Sequence, residues 1–117
     1  MNSKELNSIL ISNFVDLKDL YIEEISWQDG NETGSHIIFG DIFRPYIEKN
    51  IIIKDKDKLK HIFIFIEKLL ELNDNYVEEV IAFSVIEGLE KKLSCCIEFM
   101  GNKTLTIFNE ISKYYRR

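Results

Sequence analysis

Asp57-Lys-Leu-Lys-His-Ile-Phe-Ile-Phe-Ile-Glu-Lys-Leu-Leu-Glu-Leu72 decides the fold. Leu59, Ile62, Phe63, Ile66, Leu69 and Leu70 fall at i, i+3, i+4, i+7, i+10 and i+11, which is one face of a helix. Ile62 to Ile66 alone would pass for a strand, because β-branched and aromatic residues suit a pleated surface. The helical period continues through the whole of 57–72 and outweighs that local signal.

Toward the C-terminus, Asn73-Asp74-Asn75 makes a turn, and Asn75 followed by Glu78 resembles a capping arrangement. The next helix runs from Tyr76 to about Lys92. Val80, Ile81, Ala82, Phe83, Val85 and Ile86 make it apolar nearly all round, as expected of a central helix. Leu93, Ile97 and Met100 prolong its period to Gly101, a good left-handed stop. Asn102 is expected to cap a last helix whose Leu105, Phe108, Ile111 and Tyr115 face inward, ahead of Arg116-Arg117.

Toward the N-terminus, Ile51-Ile52-Ile53 is ambiguous between helix and extended chain. Residues 37–50 read as two short helical pieces meeting near Arg44, with Pro45 in the first turn of the second and Ser35 as a cap before His36. Gln28 to Ser35 is the clearest loop. Before it, Leu6, Ile9, Leu10 and Asn13 follow a helical spacing behind a Ser3 cap, and Leu17, Leu20 and Tyr21 continue an apolar stripe to about Trp27. The expected fold is all-α: a compact single-domain bundle of five to seven helices, several short, over residues 1–117.

Length and composition fit one globular domain. Fifteen basic residues stand against 20 acidic ones, a net charge of −5. That sign argues against nucleic acid as a partner, which calls for a basic stripe. The longest apolar runs, Val80 to Phe83 and Ile62 to Ile66, are too short to span a bilayer, and no signal peptide is expected. The only cysteines, Cys95 and Cys96, are adjacent and form no disulfide framework, so the cytoplasm is the expected compartment.

No pattern of catalytic, cofactor or metal residues emerges. His36, His61, Cys95 and Cys96 lack the spacing that lets one turn offer two ligands. Asp57 lies one turn before His61, but a lone surface histidine is the commoner arrangement. Ser84 has no glycine elbow, and Gly40 and Gly101 are isolated. The segment from His36 to Tyr46 reads as a helix junction, with Asp41 capping the turn and Arg44 paired to an acid. Its Arg and Tyr would equally suit a contact patch. Carboxylates are the one abundant functional group. Glu71, Asp74, Glu78, Glu79, Glu87 and Glu90 give residues 71–90 six negative charges and no Lys or Arg. A second run holds Asp16, Asp19, Glu23, Glu24, Asp29 and Glu32 against Lys18. Both are ordinarily solvated faces; alternatively they steer a basic partner.

The order Trp27, acidic loop, Ile38-Phe39-Gly40-Asp41-Ile42-Phe43-Arg44-Pro45-Tyr46, amphipathic helix, Ser84-Val85-Ile86-Glu87-Gly88-Leu89 and Phe99-Met100-Gly101-Asn102-Lys103-Thr104 resembles a family of small uncharacterised bacterial all-helical proteins. These are domains of unknown function, some of them similar to immunity proteins that accompany secreted toxins. The resemblance carries no functional residue onto this chain. With that resemblance, the small size, the absence of a cofactor motif, the unbridged cysteines and the net negative charge fit a non-catalytic protein-binding domain, an immunity-type protein that neutralises a basic toxin through the acidic residues 71–90. The other reading is a regulatory or structural helical protein acting as a homodimer, with Ile64, Phe65 and Leu72 as an exposed seam.

Overall fold

A computed structural model of the chain describes residues 1–27 and 33–115, with the backbone alone described at Trp27. Every regular element among them is helical. Helix α1 spans Ser3–Asn13, and a 3₁₀ turn at Val15–Leu17 leads into α2, Lys18–Trp27. Helix α3 covers 35–52, α4 is Lys56–Leu70 and α5 covers 75–89. A 3₁₀ segment, Leu93–Phe99, links α5 to α6, Asn102–Tyr115. Apolar side chains from five of the six helices form one core cluster, against which Tyr21 and Ile25 of α2 pack. The radius of gyration is 13.7 Å, close to the ~13.4 Å that chain length predicts for a single domain.

Helix α4 follows its sequence pattern. Asp55 caps it by accepting from the Lys58 N–H, and Leu59, Ile62, Phe63, Ile66, Leu69 and Leu70 are all buried. Phe65 is buried as well, which corrects its expected place on an exposed seam. Phe14, just past the end of α1, creates the extra apolar surface. Its ring lies 5.0 Å from Phe65 and 5.2 Å from Phe43, and stacks on His61 at 4.7 Å. Ile64 and Leu72 are exposed, as expected.

Helices α3 and α5 each run unbroken through a central π-helical segment, Phe39–Phe43 and Val80–Ile86. In α3 the Arg44 N–H donates to Phe39 O, and in α5 the Glu87 N–H donates to Ala82 O, five residues back in both cases. Pro45 explains the first. Its ring would strike the Asp41 carbonyl of a regular helix, and its missing N–H removes a bond there. Widening one turn before the proline keeps the chain helical. The expected junction near Arg44 is therefore a π turn, and Ile51 and Ile52 continue the helix with Ile53 at its cap.

Several expected caps fall one residue away or on another element. Asn2, not Ser3, caps α1, and Asp74, not Asn75, caps α5 by accepting from the Val77 N–H. Ser35 opens α3 without capping it; its hydroxyl donates to Asn7 Oδ1 at 2.7 Å and lies 3.2 Å from Ser3 O, tying α3 to α1. The start of α6 is held by Glu67 of α4, not by Asn102. The Glu67 carboxylate accepts from the Lys103 N–H, the Thr104 N–H and the Thr104 hydroxyl. Partial burial pushes the Glu67 carboxyl up, but the Thr104 and Lys103 bonds outweigh it and hold the group below the ordinary glutamate range. A side chain on Gly101 would collide with that carboxylate and push it away from its bonds to Thr104 and Lys103.

The period of α5 does not persist to Gly101, because the chain turns at 90–92 and re-forms as the 3₁₀ segment. Leu93 stays buried while Ile97 is exposed. Leu20, expected in a stripe, is exposed, and so is Tyr115 at the end of α6. Asp29, Glu32, most of the expected loop and Arg116-Arg117 lie outside the described residues.

Candidate functional site

Helices α5 and α6 lie side by side and leave a groove of about 800 Å³ between them. The core-facing stripe of α5 is Val77, Val80, Ile81, Val85 and Ile86. With that stripe turned inward, Ala82 and Phe83 are left on the opposite face and line the groove. Helix α6 does the same with two stripes. Thr104, Phe108 and Ser112 are buried, while Ile107, Ile111 and Tyr114 line the groove. Phe83 is 61% exposed and Tyr114 74%. Such large apolar surfaces, close together and rimmed by charge, are the usual mark of an interaction site.

The rim is acidic. Glu78, Glu79 and Glu87 of α5 and Glu110 of α6 line the groove, and no Lys or Arg among the described residues does so. At one end the Tyr115 hydroxyl donates to Glu87 Oε1 at 3.1 Å, and this bond holds the phenol above its ordinary range.

The structure thus divides the six acids singled out in residues 71–90. Glu78, Glu79 and Glu87 share the groove. Asp74 is engaged elsewhere, capping α5 and pairing at 2.6 Å with the Met1 amino group; that bond first, with the Val77 N–H, holds its carboxyl below the ordinary range. Glu71 is exposed beyond the end of α4, and Glu90 lines a smaller recess with Glu48 and Lys92. Glu110 and the aromatic lining of α6 escaped the sequence reading. Ile107, Ile111 and Tyr114, at i, i+4 and i+7, were the available signal: a second apolar stripe on a helix already supplied with one.

The remaining candidates sit apart from the groove. His36 Nδ1 lies 2.8 Å from Ser84 Oγ, where α3 and α5 cross at their π segments. That is the separation of a nucleophile and its base. Among the described residues, however, no carboxylate hydrogen-bonds the other ring nitrogen, and the pair ties two helices together. Asp41 is exposed and caps nothing, and Arg44, expected beside an acid, instead lies across Gly88 of α5. The Cys95 and Cys96 sulfurs are 3.7 Å apart, Cys95 exposed and Cys96 buried. Burial first, then Cys95, pushes the Cys96 thiol up to about 12, which makes it a poor nucleophile at neutral pH. Among the described residues, no three His, Cys, Asp or Glu side chains gather closely enough to hold a metal ion.

An all-helical domain with one acid-rimmed apolar groove on its surface is the class that fold and site define. The chain belongs to the family described as Domain of unknown function (DUF7674), which matches residues 7–116, from within α1 past the end of α6. No curated protein and no solved structure matches it. No helix among the described residues is long and apolar enough to cross a membrane.

Proposed function

We propose that this domain is a non-catalytic binding module whose groove between α5 and α6 captures a basic, partly apolar segment of another protein. The observation that carries the reading is the meeting of Phe83 and Tyr114, both largely exposed, with four carboxylates and no cation among the described lining residues. Apolar floor and charged rim play different parts: desolvation of the aromatics supplies affinity, and the carboxylates steer encounter and select for positive charge. An immunity-type role, neutralising a basic bacterial toxin in the cytoplasm, is the biological form this chemistry suits. The groove recruits Glu78, Glu79, Glu87 and Glu110, a narrower set than the whole run of residues 71–90.

Charge reversal tests it. Glu78→Lys with Glu79→Lys should slow association with a basic partner roughly tenfold at low salt while leaving the fold intact. Salt should slow the unmodified protein in the same way, because screening acts over about 8 Å at physiological strength. Reversal at Lys54, Lys56 and Lys58, remote from the groove in sequence, should not lower the rate. An on-rate indifferent to salt and to Glu78 and Glu79 ends the electrostatic reading. A homodimer seated on α4 is the second reading, favoured by the exposure of Ile64 and Leu72. Light scattering on the eluting peak separates it: a monomer at micromolar concentration rules it out.

A further inference from the structure

We infer that the groove holds its partner as an amphipathic helix lying antiparallel to α5 and α6, its N-terminal end against Glu87 and Tyr115. This rests on the groove being the binding site. The relative direction of the two walls carries the step. Near the start of α5, Lys103 Nζ donates to Asn73 Oδ1 at 3.1 Å, and at the far end Tyr115 donates to Glu87. Helices α5 and α6 therefore run parallel, an arrangement made possible by the 3₁₀ crossover Leu93–Phe99.

Parallel helices add their macrodipoles instead of cancelling them. Both C-terminal ends meet at the Glu87–Tyr115 end of the groove. Glu87 is the charge that lines the groove there, while Lys113 in the last turn of α6 and Lys91 and Lys92 in the recess beyond Glu87 do not line it. Helix α4 opposes the pair on the core side, since its Glu67 reaches the start of α6. On the groove side no described element does so. A third helix entering antiparallel brings its positive N-terminal end to that point; one entering parallel adds a third negative end.

Spacing fixes the register. Glu79 and Glu87 are eight residues apart, at most about 12 Å along α5 because the π turns between them rise less per residue than an α-helix, with Ala82 and Phe83 between them. A docked helix matches this with a basic residue at i, apolar residues at i+3 and i+4, and a second basic residue at i+7 or i+8, all on one face.

The experiment uses the full chain and a synthetic 15-residue helix of Lys, Leu and Ala with that spacing, carrying a nitroxide at either its N- or its C-terminus. Amide line broadening reads the direction. An N-terminal label should broaden Glu87 and Tyr115 and spare Asn75 and Glu78, and a C-terminal label should do the converse. The opposite pattern, or equal broadening at both ends, overturns the antiparallel assignment even if binding is lost with Phe83→Ala, which would leave the groove reading standing. A peptide of the same composition, with its lysines moved to the opposite face of the helix from its leucines, should bind roughly tenfold more weakly. Equal binding overturns the register. If neither peptide binds, the groove reading and this inference fall together.

Discussion

Helices α4 and α5 are about equally rich in apolar residues, yet the bundle uses them differently. Helix α4 turns one broad face inward and buries Phe63 and Phe65 alike, leaving only Ile64 of its central apolar run exposed. Helix α5 buries Val80, Ile81, Val85 and Ile86 on one side, then presents Phe83 to the groove on the other. An all-round apolar helix is conventionally central. Here it is peripheral on one side, and its second apolar face is what makes a site. The lesson is that a helix with more apolar surface than its own domain covers has surface to offer something else.

The comparison breaks most sharply at the core. Phe63→Ala on α4 and Ile81→Ala on α5 should each destabilise by about 2–5 kcal/mol in urea denaturation, because both are essentially inaccessible to solvent. Equal losses would place the inner face of α5 on the same footing as α4. A loss at Ile81 below about 1 kcal/mol would mean that α5 is loosely seated and that the groove is a product of that looseness.

The bond joining α4 to α6 comes next. Glu67→Ala removes the only side chain seen to cap α6 among the described residues, so it should cost about 0.5–2 kcal/mol. The pH dependence has a definite sign. The folded carboxyl titrates below its unfolded value of about 4.3, so its contribution is complete above that pH and disappears as pH falls through the folded value. Acid titration of stability should therefore be shallower in Glu67→Gln than in the unmodified chain. Identical acid limbs would remove Glu67 from any part in fixing the groove wall. A smaller effect, about 0.5–1.5 kcal/mol, is expected for Ser84→Ala, which deletes the bond to His36 at the helix crossing. No loss there would make the π segments self-sufficient.

What the residues announced in advance follows the same division. Helix α4 could be read because its stripe, its Asp55 turn and its burial are all local. The turn at Asp74, the start of α6 and the inward position of Phe108 were legible for the same reason. The π segments were not, since a five-residue backbone bond leaves side-chain periodicity almost unchanged and only Pro45 hints at one of them. Glu67 was invisible as a cap because it is 37 residues from Thr104. The site was half legible: Glu78, Glu79 and Glu87 stood out by charge, whereas Glu110, Ile107 and Tyr114 could be joined to them only once α6 was known to run parallel beside α5. Asp74 looked like its neighbours in sequence and is occupied in the fold.

The smallest stability change should fall where the largest functional one does. Phe83→Ala removes a ring that is 61% exposed and contributes little to the core, and alanine is the better helix former. Its effect on stability should stay within about 0.5 kcal/mol, as should that of Glu79→Ala, which lies on the exposed rim. Binding should separate the two. Losing Phe83 removes apolar contact present only in the complex, so dissociation should accelerate. Losing Glu79 removes long-range attraction, so association should slow more than dissociation changes. If Phe83→Ala instead destabilises the protein as much as Phe63→Ala, the outer face of α5 belongs to the core after all. The contrast between the two helices, and the groove built on it, would then be lost.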